Sequence, residues 1–100
     1  MKVYQGRRIS RVAEVTVDGR TLNPRLDLWN HSPSGLEWGY CGSGPAQLAL
    51  ALLSDCLEDD QTAVAWHQDY KNAVVAGLPY RGWTLSEEQI RQAFASLQVQ

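Results

Sequence analysis

The apolar run that directly follows a glycine-rich turn constrains the fold of this chain more than any other feature. The turn Gly42–Gly44 precedes Pro45, and seven of the next eight residues, through Leu53, are apolar. Proline is favoured in the first turn of a helix, so the pattern predicts a helix with Gly44 as its N-cap. Gln47 is predicted to reach back to the cap amide. Apolar residues cover nearly every face, so we expect this helix to be central and buried.

Strand patterns precede this helix. Residues 11–22 read as a hairpin around Asp18-Gly19, a strong turn signal because both turn residues need a positive φ. A second hairpin is predicted from residues 26–29 and 36–40, where apolar side chains alternate on either side of a turn-rich loop. A short strand over residues 2–5 would complete an antiparallel sheet.

Two further helices are predicted after the apolar one. Asp59 or Asp60 suits the positive end of the second helix, and Gly77 is expected to end it. Ser86 and Gln89 have the spacing of a capping box for the third.

The order of these elements predicts an α+β fold, because strands come first and helices follow. Residues 1–100 are expected to form a single domain. Within it, an antiparallel sheet of three to five short strands occupies residues 1–40, and three helices occupy residues 44–98.

Basic residues concentrate near the N-terminus, although the whole chain carries a net charge of −2. Residues 1–25 hold six basic and two acidic residues, whereas residues 26–100 hold three basic and nine acidic ones. A basic hairpin on an acidic body suits contact with nucleic acid or with an acidic protein, and an ordinary solvated hairpin is the other interpretation. The candidate phosphate contacts are Arg7, Arg8, Arg11 and Arg20.

The cysteines and the hydropathy pattern indicate a cytoplasmic protein. Cys41 and Cys56 have no zinc-site spacing and are interpreted as reduced thiols. The most apolar stretch, residues 45–53, is too short to span a membrane. The first eight residues carry charge without a following apolar core, so no signal peptide is expected.

Two sequence patterns resemble a family of small uncharacterised proteins of bacteria, archaea and phages, described as a domain of unknown function. The patterns are residues 29–40 and residues 42–53, and the similarity spans most of residues 22–90. Cys41 departs from the family pattern, which has glycine there. The resemblance implies a compact stand-alone domain, often carried by phages and mobile elements. It implies no reaction, ligand or catalytic residue.

The glycine-rich turn is one candidate site. Amides around Ser43 and Gly44 at a helix start could bind an anion or a nucleotide. The turn lacks the lysine of a phosphate-binding loop and the dinucleotide fingerprint. A tight packing joint is the alternative interpretation.

The loop over residues 30–35 is the second candidate site. Histidine and serine near a carboxylate suggest hydrolysis, but a serine that precedes proline in a loop is a poor nucleophile elbow. A structured turn or a binding loop is therefore favoured. The candidate binding residues are Asn30, His31, Ser32 and Ser34 in the loop, together with Trp38 on its return strand.

On the second predicted helix, His67, Asp69 and Lys71 are interpreted as a solvated face. No metal or cofactor is predicted. The favoured function is a non-enzymatic module of phage or mobile-element type that binds a protein partner. A nucleic-acid-binding protein is the first alternative, and an anion- or nucleotide-binding protein is the second.

Overall fold

The computed structural model describes residues 1–99. It confirms the α+β class, with a four-stranded antiparallel sheet and three helices. The strands are β1 (Val3–Ile9), β2 (Val12–Val17), β3 (Arg20–Thr21) and β4 (Gly82–Ser86). The helices are α1 (Ser43–Leu57), α2 (Asp60–Ala73) and α3 (Glu87–Gln98), and a 3₁₀ turn at Val75–Gly77 follows α2.

Strand β1 lies inside the sheet, because the strand order is β3-β2-β1-β4. It pairs antiparallel with both neighbours, so Gly6 lies opposite Val15 on one side and Trp83 on the other. The turn between β2 and β3 has the predicted form: Asp18 and Gly19 have φ values of 50° and 81°.

One face of the sheet packs on the helices and the other faces solvent. Tyr4 and Val15 point inward and are buried, whereas Val3 and Ile9 point outward and are exposed. Gly6 also points inward, and any Cβ at that position would overlap the indole ring of Trp83.

Helix α1 is the central, buried helix that its sequence predicts. Every residue from Gly44 to Ser54 is buried. The helix begins at Ser43 with Gly42 as its N-cap, so the predicted cap at Gly44 is wrong. The side chains of α1 are apolar on nearly every face, so the helix contacts both α2 and α3. The sheet covers the same core.

The predicted second hairpin over residues 26–29 and 36–40 is wrong. Within residues 22–42, all of which the structure describes, the backbone forms no strand. Leu28 and Leu36 instead pack against the core from an irregular segment. Leu28 and Leu36 are therefore spaced as anchors of the long connection between β3 and α1, and not as residues of paired strands.

The sheet is not confined to residues 1–40, because β4 enters it from between α2 and α3. β4 runs directly into α3, where the predicted capping box is confirmed. The Ser86 hydroxyl accepts a bond from the Gln89 N–H (3.1 Å), and the Gln89 side chain accepts one from the Ser86 N–H (2.8 Å).

Helix α2 begins as predicted, with Asp59 as an N-cap that accepts a hydrogen bond from the Thr62 N–H at 3.1 Å. It ends at Ala73, ahead of the predicted stop at Gly77. None of the helices within residues 1–99 has the length and apolar character needed to cross a membrane.

Candidate functional site

The connection between β3 and α1 carries the Trp29 loop, defined here as residues 29–35, which Gln47 fixes to the core. The Gln47 side-chain carbonyl accepts hydrogen bonds from the backbone N–H groups of His31 (2.7 Å) and Ser32 (3.3 Å). The Gln47 amide donates to the Pro24 carbonyl at 2.6 Å. Gln47 is fully buried on α1, so these bonds hold the loop against a rigid helix. Its predicted capping role is therefore wrong.

Ser32 shapes the turn at the tip of the Trp29 loop. Its hydroxyl donates to the Gly35 carbonyl at 2.7 Å, and Gly35 has a φ of 136°, which favours glycine. Asn30 and Ser34 point outward and are exposed. Ser32 thus has a structural role, whereas Asn30 and Ser34 are accessible to a ligand or a partner.

Trp29 forms an aromatic cluster with the histidine pair, which consists of His31 and His67. The Nε2 atoms of the two histidines are 2.8 Å apart, and His67 Nδ1 lies 2.7 Å from the Val64 carbonyl oxygen. Trp29 stacks on His31 with ring centroids 4.9 Å apart and planes inclined by 12°. Trp29 nevertheless stays 50% exposed. Part of the Trp29 ring is therefore open to solvent, while the hydrogen-bonded imidazoles of His31 and His67 support the ring on its other side.

His67 is 1% exposed, so its assignment to a solvated face is wrong. It lies four residues after Ala63 and three before Tyr70, and both of these are buried on the same stripe of α2. That spacing was the available sequence signal for its burial.

The pKa of His31 is lowered, mainly by burial and then by the charges of His67 and Lys71.

A cleft of about 330 Å³ separates the Trp29 loop from the turn between β1 and β2. Ser32 and Ser34 line it from the loop, and Arg11 lines it from the turn. Ser43 and Gly44 contribute the start of α1, where the first backbone N–H groups of a helix have no intrahelical partner. The structure thus brings the predicted loop and the predicted glycine-rich turn together in one cleft.

The glycines of this turn are packing joints. A Cβ at Gly42 would lie 2.7 Å from the Tyr40 ring, and one at Gly44 would lie 2.7 Å from the Glu37 Cβ. Cys41 lies outside the left-handed region of φ, which agrees with its departure from glycine. Gly44 therefore leaves no space for a side chain, whereas at Gly42 the half-exposed Tyr40 ring could move aside.

Neither Trp38 nor Arg8 is accessible as a binding residue. Trp38 is fully buried, and its indole N–H donates to the carbonyls of Pro79 and Tyr80, each at 3.0 Å. The Arg8 guanidinium lies 4.4 Å from the Trp38 ring centroid and 3.8 Å from that of Tyr80. It also donates to both carboxylate oxygens of Glu37, at 2.9 and 3.2 Å, which raises the pKa of Arg8. With its side chain 10% exposed, Arg8 is unavailable to phosphates.

The other candidate phosphate contacts lie on three different elements, β1, the turn after it and β3. The alternation of β1 places Arg7 on the face opposite Arg8, where it pairs with Glu14 at 2.9 Å. Arg11 lines the cleft, and Arg20 is exposed on β3. Arg11 and Arg20 are thus the two that stay exposed without a described ion-pair partner.

The serine, histidine and carboxylate near the loop are each bonded elsewhere. Ser32 donates to Gly35, His31 contacts His67, and Glu37 pairs with Arg8. No nucleophile and base are therefore brought together by these residues. Within residues 1–99, no group of three or more histidine, cysteine or acidic side chains could hold a metal ion.

A larger groove of about 840 Å³ lies at the other end of α1, where no sequence pattern predicted a site. Lys2 pairs there with Asp55 at 3.1 Å, and Arg25 pairs with Asp60 at 2.8 Å. The Tyr4 hydroxyl also donates to Asp55 at 2.7 Å. Because these charges pair with one another, they join the ends of elements that are distant in the chain.

A comparison with family models finds one match, described as "Family of unknown function (DUF6166)", which covers residues 4–96. No curated protein and no solved structure matches the chain. The match extends the sequence resemblance over nearly the whole chain.

Proposed function

The chain belongs to this family of unknown function, and we propose that it is a small, non-enzymatic interaction module whose Trp29 loop binds a protein partner. The observation that carries the proposal is the half-exposed Trp29, stacked on His31 in a loop that Gln47 fixes to the core. Tryptophan is enriched among the residues that dominate the energetics of protein interfaces.

Rigidity of the loop supports this proposal. When a partner binds a mobile loop, the backbone and side chains of that loop become ordered, and the entropy that is lost reduces the affinity. Here the backbone N–H groups of His31 and Ser32 are already bonded to a buried side chain. Trp29 can therefore be contacted at a small entropic cost.

The cleft beside the loop supplies the polar part of the proposed surface. Exposed Asn30 follows Trp29 in the chain, and exposed Ser34 lines the cleft together with the positively charged Arg11. An apolar anchor surrounded by polar groups is the usual anatomy of a protein interface. We therefore propose a partner that presents an apolar pocket to Trp29 and an acceptor group to Arg11.

Trp29→Ala is expected to weaken partner binding by at least about 30-fold, since loss of a hot-spot side chain costs about 2 kcal/mol or more. Immobilised wild-type protein and the variant would capture partners from the native host, and the Kd of each recovered partner would be measured by calorimetry. Val3→Ala is the matched control, because Val3 is an exposed apolar residue on the outer face of the sheet. Equal affinity of wild type and Trp29→Ala for every recovered partner contradicts the proposal, as does an equal loss with Val3→Ala.

Binding of an anion or nucleic acid is the second candidate, favoured by Arg11 lying in the same cleft as the start of α1. With Arg7 and Arg8 paired to carboxylates, few phosphates could be neutralised. We therefore expect no binding of duplex or single-stranded DNA or RNA at micromolar protein in low salt. Binding that falls steeply with salt, by a log–log slope of about −0.9 per neutralised phosphate on duplex DNA, would instead support this candidate. Arg11→Gln would then reduce that slope.

We also propose a phage or mobile-element setting, which the sequence resemblance implies, and a cytoplasmic location. Support for the location comes from the cysteines, since Cys41 is an exposed free thiol and Cys56 a buried one. Exposed thiols persist in reducing compartments.

A further inference from the structure

The two histidines of the chain meet each other in the fold, and their hydrogen bonds assign the protons. His67 Nδ1 lies 2.7 Å from the Val64 carbonyl oxygen, which can only accept, so this nitrogen carries a hydrogen. In neutral His67, Nε2 is then an acceptor. His31 must therefore donate its own Nε2–H across the 2.8 Å contact.

This arrangement limits the number of protons that the pair can hold. A first added proton is compatible with the contact, because one Nε2 can still donate to the other. A second added proton places an N–H on both facing nitrogens, and neither can then accept. The contact and double protonation are therefore mutually exclusive.

Among residues 1–99, no acidic group stabilises a positive charge on His31. From α2 it faces His67 and Lys71, from its own loop it faces Trp29, and from α1 the uncharged Gln47 binds its backbone. Burial, His67 and Lys71 all lower the pKa of His31. Acid is therefore expected to destabilise the closed arrangement, in which the Nε2 atoms of His31 and His67 are in contact.

We propose that the histidine pair is a pH-sensitive switch that holds Trp29 in its stacked position at neutral pH and releases it under mild acid. The carrying observation is the direct Nε2–Nε2 contact behind the stacked tryptophan. On release, His31 moves away from His67 and both imidazoliums gain access to water. Loss of a partner in acid is a consequence that rests on the proposed function. The switch itself needs no partner.

The direction of the effect follows from proton linkage. A group whose pKa is lower in the folded protein binds fewer protons there than in the opened or unfolded chain. The stabilisation is fully present above the ordinary histidine pKa of about 6.5. It is lost as the pH falls below that value and through the lowered folded pKa.

NMR of the isolated protein between about pH 7.5 and pH 5 tests the switch, since this range brackets the ordinary histidine pKa of about 6.5. The Trp29 indole resonance, assigned by comparison with Trp29→Phe, is expected to shift in acid together with the His31 ring. Exchange of the His31 and Ser32 amides, corrected for the intrinsic pH dependence, is expected to accelerate by up to about tenfold for each pH unit below about 6.5, because the opened form takes up one more proton than the closed form.

His31→Gln is the informative variant, because glutamine does not titrate: its amide can donate to neutral His67, and its carbonyl can accept from protonated His67. In this variant the Trp29 resonance and the corrected exchange rates are expected to be independent of pH. An identical acid transition in His31→Gln, or two independent histidine titrations near the ordinary value with no change at Trp29, would overturn the proposal. Because no partner is present, failure here is distinguishable from failure of the binding assay.

Discussion

Replacing Gln47 by leucine is expected to destabilise the protein by about 2–4 kcal/mol and to free the Trp29 loop. The side chain is fully buried and makes hydrogen bonds with His31, Ser32 and Pro24. Leucine has a similar volume but leaves two donors and one acceptor without partners, and each such group costs about 1–3 kcal/mol when it stays buried. Denaturant unfolding gives the stability, and hydrogen exchange of the loop amides reports the release.

Gln92→Leu provides the matched control for this result. Gln92 lies on α3, where its amide bonds only to Glu88 at the surface, at 3.3 Å. This control is expected to change the stability by less than about 0.5 kcal/mol. Equal stabilities for Gln47→Leu and Gln92→Leu would show that the loop does not depend on its bonds to α1.

Leu52→Ala is expected to cost about 2–5 kcal/mol, because it opens a cavity in the centre of the core. Leu52 is fully buried on α1. For a domain of this size, each kcal/mol lowers the Tm by roughly 4–8 °C. Thermal unfolding followed by circular dichroism therefore resolves the effect.

Leu26→Ala is the corresponding control for Leu52→Ala. Leu26 is 38% exposed and lies outside the core cluster, so its truncation opens no cavity in the core. We expect a cost below about 1 kcal/mol. Closely similar melting temperatures for the two variants would refute the central position of α1 in the core.

The parts of the fold that could be predicted from sequence are those with a local physical cause. The Asp18-Gly19 turn requires positive φ at both residues, and the Ser86 capping box satisfies amides three residues away. β4 has no such local signal. Its identity as a strand comes from pairing with β1, which lies at the opposite end of the sequence.

The wrong hairpin has a related cause. Leu28, Leu36 and Trp38 have the spacing of strand residues, yet each is an apolar anchor of an irregular connection. Over so few residues, burial of alternate side chains does not distinguish a strand from an anchored loop.

The candidate site was predictable in position but not in its internal contacts. Turn-forming residues identified residues 30–35 as a candidate site, and the structure places them in one cleft with the glycine-rich turn, but Trp29 was not among the predicted binding residues. Sequence could not reveal that Gln47 binds the loop, because its amide suits a cap equally well. The contact between His31 and His67 joins the loop to α2, which are distant in the chain. The only sequence signal was the position of His67 on the same stripe of α2 as Ala63 and Tyr70, which indicates that His67 is buried.

The position of β1 between β2 and β4 has a consequence during synthesis of the chain. On the ribosome, β1 and β2 emerge together and can form their hairpin early. The other edge of β1 stays open until Gly82–Ser86 has been translated. An open strand edge is a template for strands of other chains, so the rate of elongation through the intervening helices sets how long the nascent protein is prone to aggregation.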